Sequence, residues 1–320
     1  MKPNAAKQFY SLIEADLKLV EAMLSADIPM QSQTLPKASK YITENKGKLF
    51  RPSLAVLIAK NLTAINNRHL NLAAALELLH IASLVHDDVI DQSPKRRGKE
   101  TLNSLYSNKT AILVGDYIFS RSSYRISQVA DHTVTSIIAD VLANLCDGEI
   151  FQSDKLFEKM SWEEYEMKNY KKTGVLIEAA TWCGALISSN SQQEISAAKE
   201  YGKYLGLAFQ VFDDILDYTS DTATLGKEAG ADLLTGNITA PVLYAIEEKP
   251  SIYDRIKTQD TAELRKVITE VKANKANIDK SIELGNKYIE IARSNLNKLP
   301  DNQYRKALNA ILDYTRDRNN

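Results

Sequence analysis

The run Leu84-Val85-His86-Asp87-Asp88-Val89-Ile90-Asp91 sets three carboxylates at the end of a segment that is otherwise apolar. Positions i and i+4 of a helix share a face, so Asp87 and Asp91 point the same way, with Asp88 beside them. Working back, Leu72, Leu76, Leu79 and Ser83 fall at helical spacing and join Val89 in one helix that carries few charges. A helix with apolar residues on most of its sides belongs in the middle of a fold.

Helical spacing continues outward from this run. Phe9, Leu12, Ile13, Leu17, Val20 and Leu24 mark an N-terminal helix, and further helices are expected at about 50–65, 102–130, 132–153, 162–188, 192–220 and 237–247. Glycine (12) and proline (8) are scarce, and no segment alternates as a half-buried strand would. Breaks fall where helices should stop. Pro94 and Gly98 bracket a basic loop over 93–99, a polar joint spans 188–191, Gly226, Gly230 and Gly236 punctuate a later loop, and Pro250 and Pro300 separate the last helices. No stretch reads as a linker, and no period repeats. The fold class is therefore all-α, with residues 1–320 as a single domain: a bundle of long helices around a central active-site cavity built from facing helices.

A second acidic run, Phe212-Asp213-Asp214-Ile215-Leu216-Asp217, repeats the spacing of the first, so Asp213 and Asp217 share a face. A solvated helix face would account for either run alone. Two such runs within apolar helices mean clustered like charges, which are costly unless cations compensate. Oxygen-only ligands suit Mg²⁺, which completes its shell with water and substrate phosphate. Basic residues follow the first run in Pro94-Lys95-Arg96-Arg97-Gly98-Lys99, and the arginine fork matches phosphate oxygens. Lys48 and Arg51 lie three apart at an expected helix start, a favourable place for an anion. His80 lies two helical turns before Asp87.

Bulk properties narrow the classes. With 40 basic and 41 acidic side chains the net charge is −1, so no global field points to nucleic acid or an anionic membrane surface. The most apolar stretch, 70–85, is interrupted by Asn71, Glu77 and His80 and is too short for a transmembrane segment. Two cysteines, Cys146 and Cys183, make no disulfide framework, and the N-terminus lacks a signal-peptide pattern, so a cytoplasmic protein is expected.

Together these residues resemble the trans-prenyl diphosphate synthases, with the long-chain, octaprenyl- and solanesyl-type members most similar. The likeness runs from about Gly47 to Pro241, in the family's order. It implies an isoprenoid synthase-like fold and successive head-to-tail condensation of isopentenyl diphosphate with an allylic diphosphate. It also implies a metal role for Asp87, Asp88, Asp91, Asp213 and Asp217, with Asp214 completing the second motif and several Mg²⁺ ions bridging the allylic diphosphate. Lys48, Arg51, His80 and Arg97 match the isopentenyl diphosphate pocket. Arg96 and the pair Lys172-Thr173 match residues that hold the allylic diphosphate, Gln210 matches a site glutamine, Lys227 matches a lysine after the second motif that helps to stabilise the leaving diphosphate, and Gly148-Glu149-Ile150-Phe151-Gln152 matches a further family segment. One departure is Asn237, in Gly236-Asn237-Ile238-Thr239, where many members carry a phosphate-facing lysine. The family also implies a homodimer.

In this resemblance the residues one turn before Asp87 line the mouth of the product tunnel. Here they are Ala82 and Ser83, both small, where short-product members place an aromatic ring. A product longer than C20 is expected, with Leu79, Leu76 and Ala75 as walls and Tyr117 or Phe119 as a floor. Three other readings are a class I terpene cyclase, a regulatory subunit of a heteromeric synthase and, within the family, a geranylgeranyl or farnesyl diphosphate synthase whose tunnel a deeper side chain closes. The first usually lacks a second aspartate run and the second typically loses one, whereas both runs are present here.

Overall fold

The computed structural model of the chain describes residues 10–27, 49–96, 98–219 and 228–317. Fifteen α-helices follow one another among them: α1 Glu14–Asp27, α2 Phe50–Leu62, α3 Asn67–Ile90, α4 Leu102–Leu105, α5 Asn108–Val129, α6 His132–Asp154, α7 Trp162–Asn169, α8 Val175–Leu186, α9 Gln192–Thr219, α10 Ala231–Leu234, α11 Ala240–Glu248, α12 Ser251–Ile256, α13 Thr261–Ala273, α14 Lys275–Leu296 and α15 Gln303–Asp317. The all-α expectation holds. The only strands among the described residues are β1 Lys95–Arg96 and β2 Lys99–Glu100, an antiparallel pair.

The long apolar run becomes α3, 24 residues and about 36 Å at 1.5 Å per residue. The Asn66 side chain caps it by accepting from Arg68 N, while His69 Nδ1 accepts from Asn66 N. Leu72, Leu76, Leu79 and Ala82 are buried. α3 packs against α5, α2 and α1, and α9 packs against α8 and α14, so the two acidic runs sit on the two longest helices of the bundle. Among the described residues, no helix is long and apolar enough to cross a membrane.

Three expectations need correction. The basic loop over 93–99 is the β1–β2 hairpin, turned through Gly98 at φ 80°. Its strands are two residues long, too short to leave an alternating pattern. The helix expected over 102–130 breaks at Tyr106, because Ser107 caps a new start by accepting from Thr110 N. The helix expected over 162–188 contains a π-helical segment, Tyr170–Gly174, between α7 and α8. Glycines of two neighbours clamp that segment. A Cβ on Gly206 of α9 would lie 2.6 Å from Gly174 Cα, and one on Gly148 of α6 would lie 3.0 Å from Lys172 N.

Candidate active site

The end of α3 is folded back on itself. Asp88 is buried, and its Oδ1 accepts from Arg96 Nε at 2.8 Å, so the hairpin delivers a guanidinium to the middle carboxylate. Asn103 Nδ2 holds the junction by donating to the carbonyls of Asp88 and Ser93. Asp91 caps α3 and is exposed. Asp87 is half-buried; burial first, and then the neighbouring Glu149, push its carboxyl up to about 6, against the pull of Lys172 and Arg96. Glu149 comes from α6 and makes an ion pair with Lys172 at 2.9 Å. The first run, α6 and the π segment therefore meet at one place.

The second run splits its carboxylates. Asp213 is exposed and Asp217 half-buried, with Asp217 Oδ2 accepting from Asp232 N at 3.2 Å. Asp214 turns inward. Tyr165 OH donates to its Oδ2 at 2.5 Å and Gln210 Nε2 to its Oδ1 at 3.0 Å. Burial pushes this carboxyl up to about 7, opposed chiefly by Lys168. Gln210 Oε1 in turn accepts from Thr173 Oγ1 at 2.9 Å. One hydrogen-bonded line thus runs from the π segment through α9 to α7. A widened turn is a frequent device at functional positions. Here it sends Lys172 toward α6 and Thr173 toward α9 from adjacent residues.

Residues 32–283 match the family model described as polyprenyl synthetase. The chain belongs to that family. It is 34% identical to solanesyl diphosphate synthase 2, chloroplastic, of Arabidopsis thaliana, over 99% of this chain and 78% of the relative. It is 36% identical to heptaprenyl diphosphate synthase component 2 of Geobacillus stearothermophilus, over 96% and 97%. A polyprenyl synthase of Caulobacter crescentus CB15, solved in complex with calcium and isoprenyl diphosphate, superposes with a TM-score of 0.90 at 30% identity, covering 98% of each chain.

Other residues singled out in the polyprenyl synthetase pattern are placed as follows. Arg51 lies in the first turn of α2; its Nε is buried with no hydrogen-bond partner among the described residues, and burial lowers its pKa to about 10. An orphaned guanidinium N–H suits an anion. His80 is half-buried on α3, and Ser83 Oγ donates to its carbonyl. Lys48, Arg97, Gly226 and Lys227 lie outside the described residues, as does Phe9 of the expected N-terminal helix. Ala82 is buried and Ser83 half-buried. Tyr117 OH donates to Asp27 O of α1, and the Phe119 ring lies 5.3 Å from that of His86, beside the first run.

The carboxylates fit a hard divalent ion in donor chemistry. Among the described residues no three Asp, Glu, His or Cys groups converge into a ready cage, and Mg²⁺ is characteristically bound by one or two carboxylates with substrate phosphates and water completing the shell. Sequence reasoning passed over Tyr165, Lys168 and Asp232. Lys168 carried a signal, since it sits four residues before Lys172. It is buried and donates to Asn237 Oδ1 at 2.6 Å, so the position lacking the usual lysine holds an ammonium delivered from α7.

Proposed function

We infer that this chain is a long-chain polyprenyl diphosphate synthase, a prenyltransferase that adds isopentenyl diphosphate units in the trans geometry to an allylic diphosphate and carries the product beyond C20. The observation that carries this reading is the assembly of Asp87, Glu149, Lys172 and Arg96 opposite the line Thr173–Gln210–Asp214, in a chain whose relatives are named solanesyl and heptaprenyl synthases. Residues 1–320 act as one polyprenyl synthetase domain. The free thiols, one exposed at Cys146 and one buried at Cys183, suit a reducing cytoplasmic setting.

In this reading Asp87, Asp88, Asp91, Asp213 and Asp217 hold the metal, which when bound neutralises charge on the leaving diphosphate. Lys172, Thr173 and Arg96 orient the allylic diphosphate, with Lys227 from the later loop. The allylic carbon–oxygen bond breaks and its electron pair leaves with the diphosphate. Lys172 and Arg96 stabilise the charge that develops there. Lys48, Arg51, His80 and Arg97 orient isopentenyl diphosphate, whose double bond forms the new carbon–carbon bond. The departing diphosphate takes the proton that is lost. Apolar walls exclude water from the cationic centre. A pair of such chains forms the working unit.

Purified protein given Mg²⁺, farnesyl diphosphate and labelled isopentenyl diphosphate should yield a product ladder that runs past C20. Ser83→Phe or Ala82→Phe should shorten it. Unchanged lengths in both variants would remove the tunnel assignment, and no incorporation with any primer would remove the enzyme reading.

A further inference from the structure

A buried lysine that the condensation does not use lies beside the second carboxylate run. Lys168, on the last turn of α7, is 2% exposed. Its ammonium donates to the neutral amide oxygen of Asn237 at 2.6 Å and lies 5.6 Å from the centre of the Tyr165 ring, whose hydroxyl holds Asp214. Among the described residues no carboxylate makes a direct ion pair with it. At longer range the carboxylates of Asp214, Asp232 and Glu149 favour its charge, and Lys172 opposes it. The direct hydrogen-bond partner of Lys168 is a neutral amide, so the carboxylates offset its charge only from a distance, and lysines are almost never fully buried without a paired charge. A buried cation beside a metal site acts on whatever charge enters the site.

We propose that Lys168, clamped by Asn237, is a positioning residue that weakens the grip of the second carboxylate run on divalent metal until a diphosphate arrives. The inference rests on the synthase reading above. A fixed positive charge repels Mg²⁺ in proportion to the metal's two charges, and low-dielectric surroundings lengthen its reach. The bare run then stays metal-poor. Metal enters together with a diphosphate, whose own negative charge offsets the ammonium, and it leaves with the diphosphate product. A run that held metal permanently would hold product as well.

The test titrates Mn²⁺, another ion for oxygen ligands, into the full chain without diphosphate and follows free Mn²⁺ by electron paramagnetic resonance. Lys168→Met removes the cation, whereas Asn237→Asp leaves Lys168 in place and neutralises it by pairing. Both should tighten Mn²⁺ binding, by about fivefold or more, and inorganic diphosphate should narrow the gap to the parent protein. Asp213→Ala added to Lys168→Met should abolish the gain. Unchanged or weaker binding in both variants is what a structural role gives, and it would overturn the proposal. So would a gain that survives Asp213→Ala. The product ladder of the parent chain is read independently of Lys168. A normal ladder with unshifted Mn²⁺ binding therefore defeats this inference alone, and no Mn²⁺ uptake even with inorganic diphosphate defeats it together with the metal reading.

Discussion

Single atoms decide how close Lys172 and Thr173 come to the rest of the candidate site. Gly206 lets α9 approach the π segment so nearly that a Cβ there would meet Gly174 Cα at 2.6 Å, a backbone atom that cannot swing away. Gly206→Ala should therefore push the π segment off α9 and stretch the Thr173–Gln210 hydrogen bond. Overpacking of this kind costs roughly 1–3 kcal/mol, and an ångström of displacement can cost about a hundredfold in rate. The expected result is a folded protein whose kcat/KM for the allylic substrate falls ten- to hundredfold (order of magnitude), with thermal stability only modestly reduced. Steady-state kinetics beside a melting curve checks it. Equal kinetics would mean that the segment tolerates the shift. The acidic residues were legible because like charges in apolar helices are anomalous in any sequence. Gly206 was not, because a close approach is a property of two segments 32 positions apart in the chain.

At the scale of elements, the body of α3 was readable from the helical spacing of Leu72, Leu76, Leu79, Ser83 and Val89, but its start was not, since a capping asparagine is one polar residue among many. The π segment was hidden, because five residues of a wider turn barely disturb a helical period. The hairpin that brings Arg96 onto Asp88 was hidden too, because its order comes from the ion pair and not from any alternation. The start of α3 carries a pH-sensitive device. Asn66 N–H donates to His69 Nδ1, so the neutral ring has its proton on Nε2, which faces Ser188 Oγ at 3.0 Å. Burial, helped by Arg68, lowers the pKa of His69 below the usual 6.5. The unfolded chain then takes up a proton at a pH where the folded chain does not. Stability is therefore full above pH 6.5 and falls as pH drops through the lowered folded value. Glutamine at the same capping position can accept from Asn66 N without titrating. Calorimetric melting from pH 7.5 to 5.5 should show a larger acid-side loss for the parent protein than for His69→Gln. Parallel curves would assign the loss to other groups.

The whole molecule leaves apolar surface uncovered on two adjacent helices. Leu113 and Tyr124 of α5 are 57% and 47% exposed, and Ile150 of α6 is 61% exposed, with Cys146 one turn before it also open to solvent. On α6 the exposed Ala139, Ala143, Cys146 and Ile150 follow at helical spacing and form a stripe, and on α5 Ile112 and Leu113 are exposed together, with Tyr124 about three turns further on. Clustered apolar surface of this kind marks an interface. In the homodimer proposed above, a second copy of the chain would cover both patches at once through a two-fold axis, since the same surface then faces itself. Light scattering should give a molar mass twice the 35.8 kDa of the chain. Leu113→Glu with Ile150→Glu should give the single-chain mass, because like charges would then meet across the axis. The heptaprenyl relative named as a component 2 supplies the contrary outcome. A parent chain that runs as one copy, and makes product only when a different protein is added, would assign the patches to that protein. A parent dimer active alone, lost with the two glutamates, assigns them to a second copy of this chain.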